Sequence, residues 1–164
     1  MNPIIRKATA ADMPQVLDLI VELAVFEKEP NAVQVTVEEL VAEGFGDSPQ
    51  FICFVAEVEG SVVGMALVYF RFSTWTGKNV HLEDLVVKES YRGKGIGDLL
   101  YAEVMRFAKE HGVRRVQWIV LNWNKGAIKF YERSGAVLHK DWYLVEMYEE
   151  GMHTIAEKNN KGTS

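Results

Sequence analysis

Residues 51–87 constrain the fold more than any other part of this chain. FICFVAEV, SVVGMALVYFRF and NVHLEDLVV are rich in β-branched, aliphatic and aromatic residues, the composition of strands. The first two are separated only by Glu59-Gly60, a connection so short that they must fold back as a hairpin, the second of them heavily buried. An antiparallel sheet therefore occupies the middle of the sequence, and the flanking segments have to cover it.

Those segments read as helices with shorter strands between them. Residues 3–8 suit a short strand. Thr9 and Asp12 have the spacing of a capping box, and Met13, Val16, Leu17, Ile20, Leu23 and Ala24 recur at helical spacing to about residue 27. Thr36 and Glu39 open a second, shorter helix, with Gly44 as its expected stop. Farther on, Ile96, Leu99, Leu100, Val104, Phe107 and Ala108 form a helical stripe ending near Gly112. RVQWIVL reads as a strand, Asn124–Ser134 as a helix capped by Gly135, and WYLVEMY as a last strand. The order β-α-α-β-β-β-α-β-α-β-β predicts an α/β (α+β) fold: a mixed, mostly antiparallel sheet with helices on its faces. Residues 1–150 are expected to form one domain and 151–164 a polar tail that frays at EKNNKGTS.

Composition narrows the function. With 164 residues the chain can bury a core without disulfides, and 48% apolar and 25% charged residues are those of an ordinary globular protein. It contains no apolar run of spanning length, and MNPIIRKATAADM lacks the long apolar stretch of a secretory signal. Cys53 is the single cysteine and lies in an apolar run, which predicts a buried, inert thiol and a reduced, cytoplasmic setting. His81, His111, His139 and His153 show no metal-ligand spacing and read as ordinary polar residues, so no metal is expected. A net charge of −5 argues against nucleic-acid binding and suits a cationic small molecule.

YRGKGIGDLLY, residues 91–101, carries the chemistry. It lacks the spacing of a P-loop, and its third glycine falls one residue early for a dinucleotide fingerprint. Gly93, Gly95 and Gly97 instead clear side chains from a strand-to-helix turn, where backbone N–H groups and the helix dipole can meet an anion. Arg92 and Lys94 add cationic contacts. A pyrophosphate fits such a loop; a plain structural turn is the alternative.

The pattern [RQ]-x-x-G-x-[GA], the preceding LEDLVV and the downstream WNKGAIKFYERSGA together resemble the GCN5-related N-acetyltransferases (GNAT). IRKATAADMPQVLDLIVELAVFEKE, GFGDSP and STWTGKNVHLEDLVVKESYRGKGIG narrow the likeness to the diamine acetyltransferases, which include spermidine/spermine and thialysine enzymes, over roughly residues 4–148. The resemblance implies a homodimeric enzyme that moves the acetyl group of acetyl-CoA to a small primary amine. Rival readings are acetylation of a protein lysine or N-terminus, and a catalytically silent CoA-binding module. It further implies Tyr131 as general acid and Glu83 as general base. The cofactor contacts would be the backbones of Leu85, Val86 and Val87 beside a strand bulge, the loop Arg92, Gly93, Lys94, Gly95, Ile96, Gly97 and Asp98, and the helix start Asn124, Lys125, Gly126 and Ala127. Phe26, Glu27, Trp75, Asp84, Asp141 and Trp142 would bind the amine. On residue chemistry alone, Tyr131 reads first as a packed aromatic, and Glu83 as either a base or a wet strand-end acid, with simple alternation placing Glu83, Leu85 and Val87 on one side and Leu82, Asp84 and Val86 on the other.

Overall fold

A computed structural model of the protein describes residues 2–159. The chain divides into two compact units, Met1–Leu121 and Asn122–Ser164.

The first unit is built on a five-stranded sheet in the order β1 (Ile4–Lys7), β2 (Ile52–Val58), β3 (Ser61–Ser73), β4 (Gly77–Val87), β5 (Val116–Gln117). The first four strands are antiparallel, and β5 runs parallel to β4, pairing only at Val80 and His81. The β2–β3 turn puts Glu59 and Gly60 both at positive φ, matching the right-handed twist of a tight hairpin. RVQWIVL thus yields a two-residue strand where the apolar run suggested seven.

Helices α1 (Met13–Phe26) and α2 (Val37–Phe45) cover one face, and α3 (Ile96–Glu110) covers the other. The capping boxes form as their spacing demands: Asp12 accepts from the Thr9 N–H at 2.7 Å, and Thr36 and Glu39 cap each other reciprocally. Arg6 adds two further bonds to Asp12 and holds its carboxyl far below the usual carboxylate range. Helix α2 runs through Gly44 and ends at Gly46, so the expected stop falls two residues early. The glycine sits inside the last turn, where its Cβ position would meet the Phe51 ring. Met13, Val16, Leu19 and Leu40 pack on Cys53, Val55, Met65, Leu67 and Val86; Ile96, Leu100, Val104 and Phe107 pack on Phe54, Val68, Val80 and Leu82. Cys53 is buried here, and burial, with Asp12 and Asp84 contributing, pushes its thiol up to about 12.

The second unit holds α4 (Lys125–Arg133) and α5 (Glu149–Asn159). Gly135, at φ 89°, closes α4 in a Schellman arrangement: its N–H donates to Glu132 and that of Ala136 to Tyr131. WYLVEMY is not a strand. A strand needs a neighbour for its ladder, and the described part of this unit contains only helices. The expected tail is helical through Asn159, and the rest of it lies outside the described residues.

Candidate active site

The β3–β4 ladder is regular except at one point. Leu67 pairs with Asp84 and Val68 with Leu82, so Glu83 is an extra residue in β4. This bulge corrects the simple alternation. Past it the strand changes parity, so Leu82 shares the α3 face with Leu85 and Val87, while Val86 faces α1. A bulge at Glu83 is the kind of irregularity the family resemblance implied.

Around it lies a polar cluster. Tyr69 donates its hydroxyl to Glu83 Oε2 at 3.0 Å, and His81 Nε2 lies 3.4 Å from the same oxygen. The contact with His81, and secondarily that with Tyr69, holds the half-exposed Glu83 carboxyl below its ordinary range. Asp84 behaves oppositely. Burial first, then the negative charges of Glu83 and Glu27, push it up to about 6. Desolvation also raises Glu27, just past the end of α1. Glu27, Glu83 and Asp84 thus form one acidic group at the bulge. His81, Tyr69 and Arg71 are additions to the expected site residues: His81 stands two residues before Glu83 on β4, a spacing visible in the sequence, whereas Tyr69 and Arg71 reach the cluster from β3, which requires knowing the register.

Beyond His81, the edge of β4 carrying Leu85, Val86 and Val87 continues past the end of its pairing with β5. The strand then leads through Lys88–Arg92 to the glycine loop. Gly93 and Gly95 have φ of 71° and 79°, and nothing lies within 4 Å of a Cβ at either position. Gly95 is the N-cap of α3, Asp98 stands in its first turn, and Ile96 anchors that turn in the core. At Gly97 a Cβ would meet only Val87 Cγ2, at 4.0 Å. The first N–H groups of a helix have no intrahelical acceptor, and the loop leaves room in front of them. The turn is thus an open cradle of N–H donors, the arrangement that suits an anion. Its two cations fold back on the loop: Arg92 donates to the Val87 carbonyl at 2.9 Å, pairs with Glu22 at 3.6 Å and lies over the Phe26 ring, and Lys94 donates to the Ser90 carbonyl.

Trp75 is 82% exposed at the tip of the β3–β4 hairpin, where Ser73 Oγ accepts from the N–H groups of Trp75 and Thr76. At about 3.3 Å per residue, six residues of β4 separate the hairpin end from Glu83 by roughly 20 Å. The fold does not bring Trp75 to the acidic cluster. In the second unit Asn124 caps α4 through Ala127 N–H at 3.2 Å, and Lys125 donates to the Asn122 carbonyl. Gly126 lies in the first turn of α4, and Tyr131 is partly buried on the same helix beside Phe130. Asp141 and Trp142 are exposed in the irregular stretch after α4.

The sequence profile of the Acetyltransferase (GNAT) family matches residues 16–136. The chain belongs to that family. A thialysine N-epsilon-acetyltransferase of Mus musculus is 44% identical, covering 93% of this chain and 96% of its own. One of Sus scrofa is 39% identical over 94% and 98%. A spermidine/spermine N(1)-acetyltransferase-like protein of Homo sapiens is 35% identical, covering 93% of this chain and 23% of its own. An aminoglycoside N-acetyltransferase in complex with CoA shares the fold, with a TM-score of 0.73 at 18% identity over 89% of this chain and 95% of that one. GNAT acetyltransferases use acetyl-CoA as acetyl donor, and this member is an N-acetyltransferase. No helix among the described residues is long and apolar enough to cross a membrane.

Proposed function

We propose that residues 1–150 act as one N-acetyltransferase domain that acetylates a primary amine of a small cationic substrate, of the thialysine or lysine type rather than a long polyamine. The observation that carries this reading is the acidic group Glu27, Glu83 and Asp84 at the β4 bulge, ahead of the glycine loop. An ammonium group is attracted by such carboxylates and must then lose a proton before it can attack. Glu83, kept ionised and half-exposed, takes that proton through a water. Asp84 and Glu27 hold the substrate's charge, with Phe26, Asp141 and Trp142 as further contacts.

Acetyl-CoA, when bound, supplies an activated thioester and a thiolate leaving group. The loop Arg92–Asp98 receives its pyrophosphate. The β4 backbone at Leu85–Val87 and the α4 start at Asn124–Ala127 hold the rest, and the Tyr131 phenol provides the proton to the departing sulfur. The preference for a compact amine rests on Ser73-Thr74-Trp75, where polyamine-acetylating members tend to carry an acid before the tryptophan. The names of the Mus musculus and Sus scrofa relatives point the same way. We place the enzyme in the cytoplasm, on its single cysteine in an apolar run, and as a homodimer, as the family resemblance implies.

Steady-state kinetics with thialysine, lysine, putrescine, spermidine and spermine, for wild type and Tyr131→Phe, test the reading. The compact amino acids should lead in kcat/KM, and Tyr131→Phe should lose about 10²-fold in kcat with acetyl-CoA affinity retained. Spermidine or spermine leading by tenfold overturns the substrate preference, and an unchanged kcat in the variant leaves Tyr131 as a packing residue.

A further inference from the structure

His81 is 6% exposed, yet it sits within reach of solvent-facing chemistry, and the reaction outlined above gives it no task. Its ring has two polar neighbours of opposite demand. Arg71 Nη1 lies 3.3 Å from Nδ1, and Glu83 Oε2 lies 3.4 Å from Nε2. A guanidinium has only donors, so Nδ1 must accept. The ring proton then belongs to Nε2 and faces Glu83. Tyr69, the register partner of His81, packs against the ring with centroids 5.0 Å apart and sends its hydroxyl to the same carboxylate oxygen.

We propose that His81 is a positioning residue: with its tautomer set by Arg71, it fixes the Glu83 carboxylate for proton uptake from the amine. This rests on Glu83 acting as the base. A bulged residue has no place in the ladder to restrain it, and a half-exposed glutamate side chain samples several rotamers. Two donors converging on Oε2 remove that freedom and leave Oε1 as the oxygen that meets water and substrate. The charged and titratable groups bearing on this arrangement are Tyr69 and Arg71 from β3, Asp84 from β4 and Glu27 from the end of α1. The lowered carboxyl of Glu83, with His81 its largest cause, accords with the geometry.

The test is kcat and kcat/KM against pH, at saturating acetyl-CoA, for wild type, His81→Leu, His81→Gln, Glu83→Gln and the double variant His81→Leu/Glu83→Gln. Losing the donor should lower kcat about tenfold, move the acid limb to higher pH because the carboxylate is less well held, and leave the KM for acetyl-CoA unchanged. Gln, whose amide nitrogen can donate from nearly the same place, should restore most of the rate. On the Glu83→Gln background His81→Leu should cost less than about twofold more, since its partner is already gone. An unmoved acid limb, or an equal loss on both backgrounds, makes His81 a packing residue and overturns the proposal. Should His81→Leu fail to fold, His81→Asn, too short to reach Glu83, takes its place. Glu83→Gln at the wild-type rate is a different result: it removes Glu83 as base, and the role of His81 with it.

Discussion

Asp84 and Glu83 are adjacent acids whose carboxyls are driven in opposite directions, and the difference has a consequence for stability. Asp84 is pushed up to about 6 by burial and by Glu83 and Glu27, above the ordinary carboxylate range of the unfolded chain. Between those two values the folded protein binds more protons than the unfolded one. The stability associated with protonated Asp84 is therefore complete below the ordinary range and lost as pH rises through about 6. At 1.4 kcal/mol per unit, the ionised form costs about 2–3 kcal/mol at pH 8. Asp84→Asn should raise Tm at pH 8, show little gain near pH 4, and weaken amine binding, because a bound ammonium relieves the same repulsion in the native protein. Equal effects at the two pH values would detach the residue from this electrostatic role. The sequence exposed both acids as candidates. It could not separate them, since their environments follow from a one-residue insertion in the ladder, and Trp75 illustrates the same limit: a fitting residue type placed roughly 20 Å along the strand from the acids.

Elements with local signals were readable from the chain. Capping boxes at Thr9–Asp12 and Thr36–Glu39, the Asn124 cap and the Gly135 terminus all depend on residues within one or two turns. The α2 stop lies beyond Gly44 because that glycine answers to a tertiary neighbour, the Phe51 ring that closes on its bare Cα, rather than to the helix end. The glycine loop can be tested at this scale. Gly95 is a poor position, because its positive φ makes any side chain strain the folded backbone by about 1–2 kcal/mol whatever binds there. Gly97 is helical and meets only Val87 at 4.0 Å, so Gly97→Val adds bulk at little folding cost. It should raise the KM for acetyl-CoA at least tenfold with Tm within a few degrees of wild type. Unchanged affinity would remove the first turn of α3 from the binding surface.

For the whole molecule, the mixed sheet with helices on both faces follows from the run of strands at 51–87, while the expected last strand does not form. WYLVEMY is a strand-like run rich in aromatic and aliphatic residues, but pairing is non-local and no pattern within seven residues names a partner. The deepest layer of the first unit nevertheless offers a direct measurement. Cys53 is the chain's single thiol, buried under α1 with its ionisation suppressed, so an alkylating reagent reaches it only when the sheet opens. Its modification rate is thus a clock for the opening reaction, readable by mass without any added probe. Acetyl-CoA at a hundred times its Kd should slow that clock about a hundredfold where opening is global, whereas ATP and NAD should leave it running unchanged. Rapid labelling indifferent to acetyl-CoA would mean that α1 lifts from the sheet by itself, making the helix that ends in Phe26 a separately moving part of the enzyme.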